Sequence, residues 1–226
     1  MSLQESKHLL QPGDRAPNVV LDAITREGRV ALDDYRGHKP VLIGLFRGLH
    51  CPFCRRHIAA MADLHAVLRD KGVDALAVVN TPIDRARLYF RYRPMPSLLA
   101  AADPERASHR AFGLPNPVIT ESETEWPRKL GMDAIMQMRI NPTGQLPEAM
   151  NPFAALETLN KTDGYEITAA DQQMMAEGAA QLVGQFLLDR DGVVRWSFTE
   201  VPEGGRHMFA GPSSADVMSA VAKLPG

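Results

Sequence analysis

The chain has 226 residues, 45% of them hydrophobic, with 25 Lys and Arg against 27 Asp and Glu, a formal net charge of −2 and a pI near 6.4. That is enough for one sizeable core with room for a long insertion, and the mild charge leaves no footprint for nucleic acid or a membrane surface. No stretch has the length and apolarity of a membrane span and residues 1–8 lack the apolar core of a signal peptide, so the expectation is a cytoplasmic protein, in which a close cysteine pair points to chemistry rather than a structural disulfide.

In chain order, residues 18–24 and 29–32 read as an edge hairpin turned at Glu27-Gly28. Residues 40–46 form a continuous apolar run, the mark of a strand buried on both faces. Cys51-Pro52-Phe53-Cys54 follows and holds both cysteines of the chain. Beyond it, Ile58, Met61, Leu64 and Leu68 recur at the spacing of an amphipathic helix that stops at Lys71-Gly72, a cation followed by a glycine cap. Residues 74–79 are the next strand, Thr81-Pro82 opens a second helix by a cap-then-proline device, 97–101 is a short strand, and Asp103-Pro104 opens a third helix ending near Phe112-Gly113.

The alternation then pauses. Residues 115–182 hold many prolines, clustered charges and six of the eleven methionines, with helices expected at 127–139 and at 169–181, the latter capped by Thr168. Residues 185–188 and 193–198 are strands joined by a tight turn at Asp191-Gly192, and a closing helix runs from Ser213 or Ser214 to Leu224. This order predicts an α/β fold with a central mixed sheet and helices on both faces. It is read as one domain over 1–226, with a core at about 13–114 and 183–224 and a long helical insertion at about 115–182. Charge follows the same division: residues 1–114 carry 17 Lys and Arg against 12 Asp and Glu, whereas 115–182 carry 4 against 10. The acidic segment is therefore expected to fold over the basic half or to meet a partner subunit's basic face.

The chemistry centres on the cysteine pair. Pro52 suits a first helical turn, which makes Cys51 the N-cap and Cys54 the N3 residue. A thiol at that place faces free N–H groups and the positive end of the helix dipole, which favours thiolate, and His50, Arg55, Arg56 and His57 crowd the same turn. Cys51 would attack as thiolate and Cys54, one turn inward, would resolve the product. His50 would stabilise the thiolate as imidazolium, or shuttle a proton as a neutral ring. Three rival uses stand beside this one. A structural disulfide would close too short a loop to constrain the unfolded chain. A metal module would use Cys51, Cys54 and His57, with His50 as a fourth ligand, but lacks the usual second ligand cluster. A non-catalytic interaction protein would present the insertion as its contact surface. The basic and aromatic run at 85–93 reads as an amphipathic helix rather than a nucleic-acid site.

Gly13-Asp14-Arg15-Ala16-Pro17 with the following Val30-Ala31-Leu32-Asp33-Asp34-Tyr35-Arg36-Gly37, the strand leading into Cys51, Asp103-Pro104-Glu105 with Ala111-Phe112-Gly113, and Phe186-Leu187-Leu188-Asp189-Arg190-Asp191-Gly192-Val193-Val194-Arg195 stand in a telling order. Together they resemble the thioredoxin-like superfold and, within it, the peroxiredoxin-like branch, the alkyl hydroperoxide reductase/thiol-specific antioxidant family. The resemblance covers about 13–114 and 183–224. It implies a cofactor-free thiol oxidoreductase with Cys51 at the peroxidatic position, a peroxide or disulfide substrate, re-reduction by a thioredoxin-like or low-molecular-weight thiol, and room for a homodimer. Three positions depart from that pattern. Gly48 stands where the family keeps a threonine or serine, Gly44 where it keeps a proline, and Val183 where it keeps a peroxide-polarising arginine. Arg47 or a backbone N–H of the Gly48-Leu49 loop is the expected substitute. The CxxC spacing and the missing donors lean toward disulfide exchange, whereas the surrounding chain leans toward the peroxidase.

Overall fold

The computed structural model describes residues 8–178, 180–205 and 207–225. Its strands are β1 (Val20–Ala23), β2 (Arg29–Ala31), β3 (Val41–Phe46), β4 (Asp74–Val79), β5 (Leu99–Ala102), β6 (Val118–Thr120), β7 (Lys129–Gly131), β8 (Gly184–Leu188) and β9 (Val194–Thr199). Seven of them make one sheet in the order β2-β1-β5-β4-β3-β8-β9, and β6 and β7 form a separate two-stranded piece. The pairs β3–β4 and β4–β5 are parallel and the rest of the large sheet is antiparallel, so the sheet is mixed, as expected. All six residues of β3 are buried, which is why that segment shows no alternation.

Helices cover both faces. The crossovers of the parallel pairs are α1 (Pro52–Asp70) and α2 (Ile83–Tyr92); α3 (Ala107–Ala111) follows β5. Ile58 and Leu68 of α1 and Phe90 of α2 pack with Leu42, Phe46, Ala77 and Val79 on one side of the sheet. Ile43, Leu45, Leu76 and Val78 point the other way, onto Leu10, Val30 and Phe112. The run at 85–93 is the amphipathic α2, with Ala86, Tyr89 and Phe90 buried. Its start differs from expectation, because Pro82 itself occupies the N-cap and the Thr81 hydroxyl is engaged elsewhere.

The segment 115–182 adds no strand to the large sheet. It holds β6, β7, α4 (Met132–Gln137), α5 (Pro152–Asp163) and α6 (Ala169–Gly178), after which α7 (Ser214–Val221) closes the chain. The helix expected over 127–139 is corrected here: its first part is β7, paired in parallel with β6, and only 132–137 is helical. Helix α5 was not anticipated, although Asn151 caps it ahead of Pro152 and Gly164 ends it with a φ of +60°. Thr168 caps α6 as expected, accepting from the Asp171 N–H at 3.2 Å. The uneven charge is resolved within the chain: Arg55 and Arg56 of α1 pair with Asp163, and Arg85 of α2 pairs with the fully buried Asp171. Among the described residues no helix is long and apolar enough to cross a membrane.

Candidate active site

β3 delivers the chain to the C-terminal edge of the sheet, where residues 47–50 turn into α1. Two side chains hold this turn. The Leu49 N–H donates to Thr81 Oγ1 at 3.0 Å, and Arg55 Nη1 donates back to the Leu49 carbonyl at 2.7 Å. Arg55 also reaches Asn160 Oδ1 at 2.8 Å and Asp163 Oδ2 at 2.5 Å on α5, so this arginine ties the cysteine loop to the 115–182 segment. Cys51 is the N-cap of α1, and the Cys54 N–H donates to its Sγ at 3.4 Å. Both cysteines are free thiols and both are 1% exposed.

The electrostatics separate the two. Burial pushes the Cys51 thiol up, but hydrogen bonds from the Cys54 side chain and backbone, together with the Arg47 guanidinium, outweigh burial and bring it down to about 6. Burial and the neighbouring Cys51 sulfur push Cys54 well above the usual thiol range. One sulfur is therefore a thiolate at neutral pH and the other keeps its proton, the division of labour expected of an attacking and a resolving thiol.

Arg47 is buried and forms a 2.5 Å ion pair with Glu200, itself 1% exposed just beyond β9. Glu200 also accepts from the Val183 N–H at 2.8 Å and the Phe209 N–H at 2.6 Å, so one carboxylate fastens three segments around the site. Phe209 holds a φ of +66°, unusual for a side chain of its size. Its ring lies 5.1 Å from that of Phe53 and 4.7 Å from the Arg47 guanidinium, and its carbonyl accepts from His57 Nε2 at 3.0 Å. His50 is buried and its pKa is lowered to about 4, chiefly by burial, with Arg47 and Arg55 adding to that effect and Asp171 opposing it. It is neutral at pH 7, which leaves the proton-shuttle role open and removes the imidazolium one.

Arg47, His50 and Cys51 line one end of a cavity of about 180 Å³. The remaining wall is apolar and comes mostly from 115–182, including Ile119, Leu130, Ile135, Phe153, Leu156 and Met175. Arg47 Nε and His50 Nδ1 are buried and make no hydrogen bond to the described residues. The cavity thus has Cys51, Arg47 and His50 in its lining and hydrocarbon elsewhere.

The family model described as "AhpC/TSA family" matches residues 12–137. The chain belongs to the AhpC/TSA family. It is 24% identical over 123 residues to a 1-Cys peroxiredoxin of Triticum aestivum, covering 52% of this chain and 56% of the relative. It is 23% identical over 136 residues to a 1-Cys peroxiredoxin of Hordeum vulgare, covering 56% and 62%. The match therefore spans little more than half the length of these curated relatives. Among solved structures, the peroxidoxin BcpB of Mycobacterium tuberculosis aligns with a TM-score of 0.56 at 10% identity, covering 96% of this chain and 99% of that one. A reduced 2-Cys peroxiredoxin of Plasmodium vivax aligns with the same TM-score of 0.56 at 13% identity, covering 93% and 80%. These likenesses show the thioredoxin-like peroxiredoxin fold.

Seen within the AhpC/TSA family, the departures at 44, 48 and 183 have physical reasons. A methyl group built on Gly44 would fall 2.5 Å from the Phe46 ring, and one built on Gly48 would fall 3.0 Å from the His50 ring. Each glycine leaves room for the side chain two residues on, and Gly48 also holds a φ of +156° that side chains rarely adopt. His50 therefore occupies space beside the position of the family's threonine or serine. Val183 lends only its N–H, to the same Glu200 that pairs with Arg47. Cys51, Cys54, His50 and Arg47 come together as one site. His57, spaced for metal ligation with the cysteines, is instead hydrogen-bonded to Phe209, and among the described residues no three His, Cys, Asp or Glu side chains are grouped to hold a metal ion. Arg55 and Arg56 are turned to Asp163. Sequence reasoning missed Glu200, Phe209 and Thr81, which stand far along the chain from their partners and leave no local pattern.

Proposed function

We propose that the protein is a thiol peroxidase in which Cys51 is the peroxidatic and Cys54 the resolving thiol. The Cys51 thiolate attacks the terminal oxygen of a hydroperoxide; an S–O bond forms, the O–O bond breaks, and the proton of the transferred hydroxyl passes to the departing alkoxide, giving an alcohol and a Cys51 sulfenate. Neutral His50, with one donor and one acceptor nitrogen, is suited to relay that proton, and Arg47 to stabilise charge developing along the O–O bond. The Cys54 thiol then attacks the sulfenate sulfur, an S–S bond forms, and the S–O bond breaks; the oxygen leaves with the Cys54 proton as hydroxide, which takes a second proton from solvent to become water. A dithiol reductant, protein or small molecule, returns both thiols and takes up the disulfide.

The observation that carries this reading is the thiolate-favouring Cys51 in the lining of a largely apolar cavity, beside the buried side chains of Arg47 and His50. Peroxide is favoured over a protein disulfide because Cys51 is 1% exposed, within reach of a small molecule that enters the cavity but not of a disulfide on a folded surface. The N-cap and N3 places of the cysteines suit intramolecular resolution without unwinding α1. The test is peroxide consumption with dithiothreitol as reductant. Wild type turns over, Cys51→Ser is inactive, and Cys54→Ser accumulates a dimedone-reactive Cys51 sulfenic acid. Turnover in Cys51→Ser equal to wild type would end the proposal.

A further inference from the structure

We infer that the 115–182 segment is the specificity element of this site, selecting hydroperoxides that carry a bulky apolar body. The inference rests on the peroxidase reading and concerns what the reacting –OOH group is attached to. Most of the apolar wall of the Cys51 cavity comes from this segment, whereas the groups facing the –OOH come from the loop after β3 and the N-cap of α1. At about 180 Å³ the cavity is several times what hydrogen peroxide needs, given ~30 Å³ for a water in the liquid. Hydrogen peroxide would leave that hydrocarbon wall without a partner, while an aryl or alkyl body would fill it.

The mouth extends the same chemistry. Ile119, Met132 and Phe153 line the cavity and are themselves exposed, and Met136, one turn beyond Met132 on α4, is exposed as well. Three elements of one segment thus turn large apolar side chains toward solvent around a single opening. Neither end of the cavity invites a charged tail. Arg47 is already paired with Glu200, and among the described residues no other Lys or Arg lines the cavity, which disfavours an anionic substrate. The body selected is uncharged hydrocarbon. The reaction keeps the balance given above: the O–O bond is cleaved by Cys51, and the apolar body leaves as its alcohol.

The experiment compares kcat/KM for cumene hydroperoxide and hydrogen peroxide in the full chain, with dithiothreitol as reductant. Wild type is expected to favour cumene hydroperoxide by at least about tenfold, the scale at which one or two methylene groups in an apolar pocket discriminate. Phe153→Ser and Met132→Ser, both at exposed positions where folding is little affected, are expected to lower that ratio about tenfold through KM, and Phe153→Leu to retain most of it. Leu88→Ser, an exposed apolar residue on α2 away from the cavity, keeps the wild-type ratio. A wild-type ratio near one, or a ratio unmoved by both serine variants, overturns the inference while leaving the peroxidase intact. Failure of Cys51 to react with either peroxide overturns both.

Discussion

At the scale of single residues, the site works by making two identical side chains unequal. Cys51 caps a helix, accepts hydrogen bonds from Cys54 and stands in the field of Arg47, while Cys54 receives the burial cost without the same relief. The consequence for pH is direct. With its pKa lowered to about 6, Cys51 is thiolate at neutral pH and is protonated as the pH falls through 6, so its oxidation rate by peroxide is expected to plateau above about 7 and to drop tenfold per unit well below 6. Stopped-flow rates from pH 4.5 to 8.5 check this, and a midpoint near 8.5, the ordinary thiol value, would contradict it. Arg47 carries a second expectation. Arg47→Met strands the Glu200 charge in the interior and is expected to cost about 3–5 kcal/mol of stability, whereas Arg47→Met with Glu200→Gln removes both charges and recovers most of that loss. Urea unfolding of the two single variants and the double variant measures the coupling, and the double variant, once folded, lets the rise in the Cys51 midpoint without its cation be read separately.

At the scale of elements, the loop between β3 and α1 is held from outside itself. The sequence signal at Thr81-Pro82 resembles that at Cys51-Pro52, yet only the cysteine serves as an N-cap, because Thr81 is buried and turned to the Leu49 N–H. Thr81→Val keeps the shape and removes the acceptor, leaving a buried N–H unpaired. A loss of about 1–3 kcal/mol is expected, read as a lower urea midpoint at unchanged slope, together with a slower Cys51. An unchanged midpoint would mean that Leu49 finds another partner. The same comparison shows what local pattern can and cannot convey. β3 and α1 were legible because a doubly buried strand and a one-sided helix have unmistakable spacings. β7 was not: three residues paired in parallel with β6 carry no alternation, and the Pro127 start signal favoured a helix. Helix α5 carries a local signal of the same kind, the Asn151 cap ahead of Pro152.

At the scale of the whole molecule, a family fold supplies the thiols and a segment with no strand in the large sheet supplies most of the wall around them. The cysteines, Arg47 and His50 were legible because they lie within a few residues of one motif. Glu200, Phe209 and the apolar wall were not, because the Arg47–Glu200 pair alone joins positions 153 residues apart and nothing in either neighbourhood announces the other. The charge division was legible as composition, and its meaning appeared only when Asp163 and Asp171 met the arginines of α1 and α2. These pairs fasten the segment down over Cys51, so its burial and the cavity are two aspects of one arrangement. The central claim is that this arrangement reacts with peroxide and closes a disulfide between the N-cap and the first turn of α1. The most direct measurement is a single turnover: fully reduced protein mixed with one equivalent of cumene hydroperoxide, quenched in time with an alkylating agent and analysed by peptide mass spectrometry. The account predicts a Cys51–Cys54 disulfide formed orders of magnitude faster than a free thiol is oxidised. Oxidation at the free-thiol rate, or a Cys51 that runs on to sulfinic acid without pairing with Cys54, would contradict it.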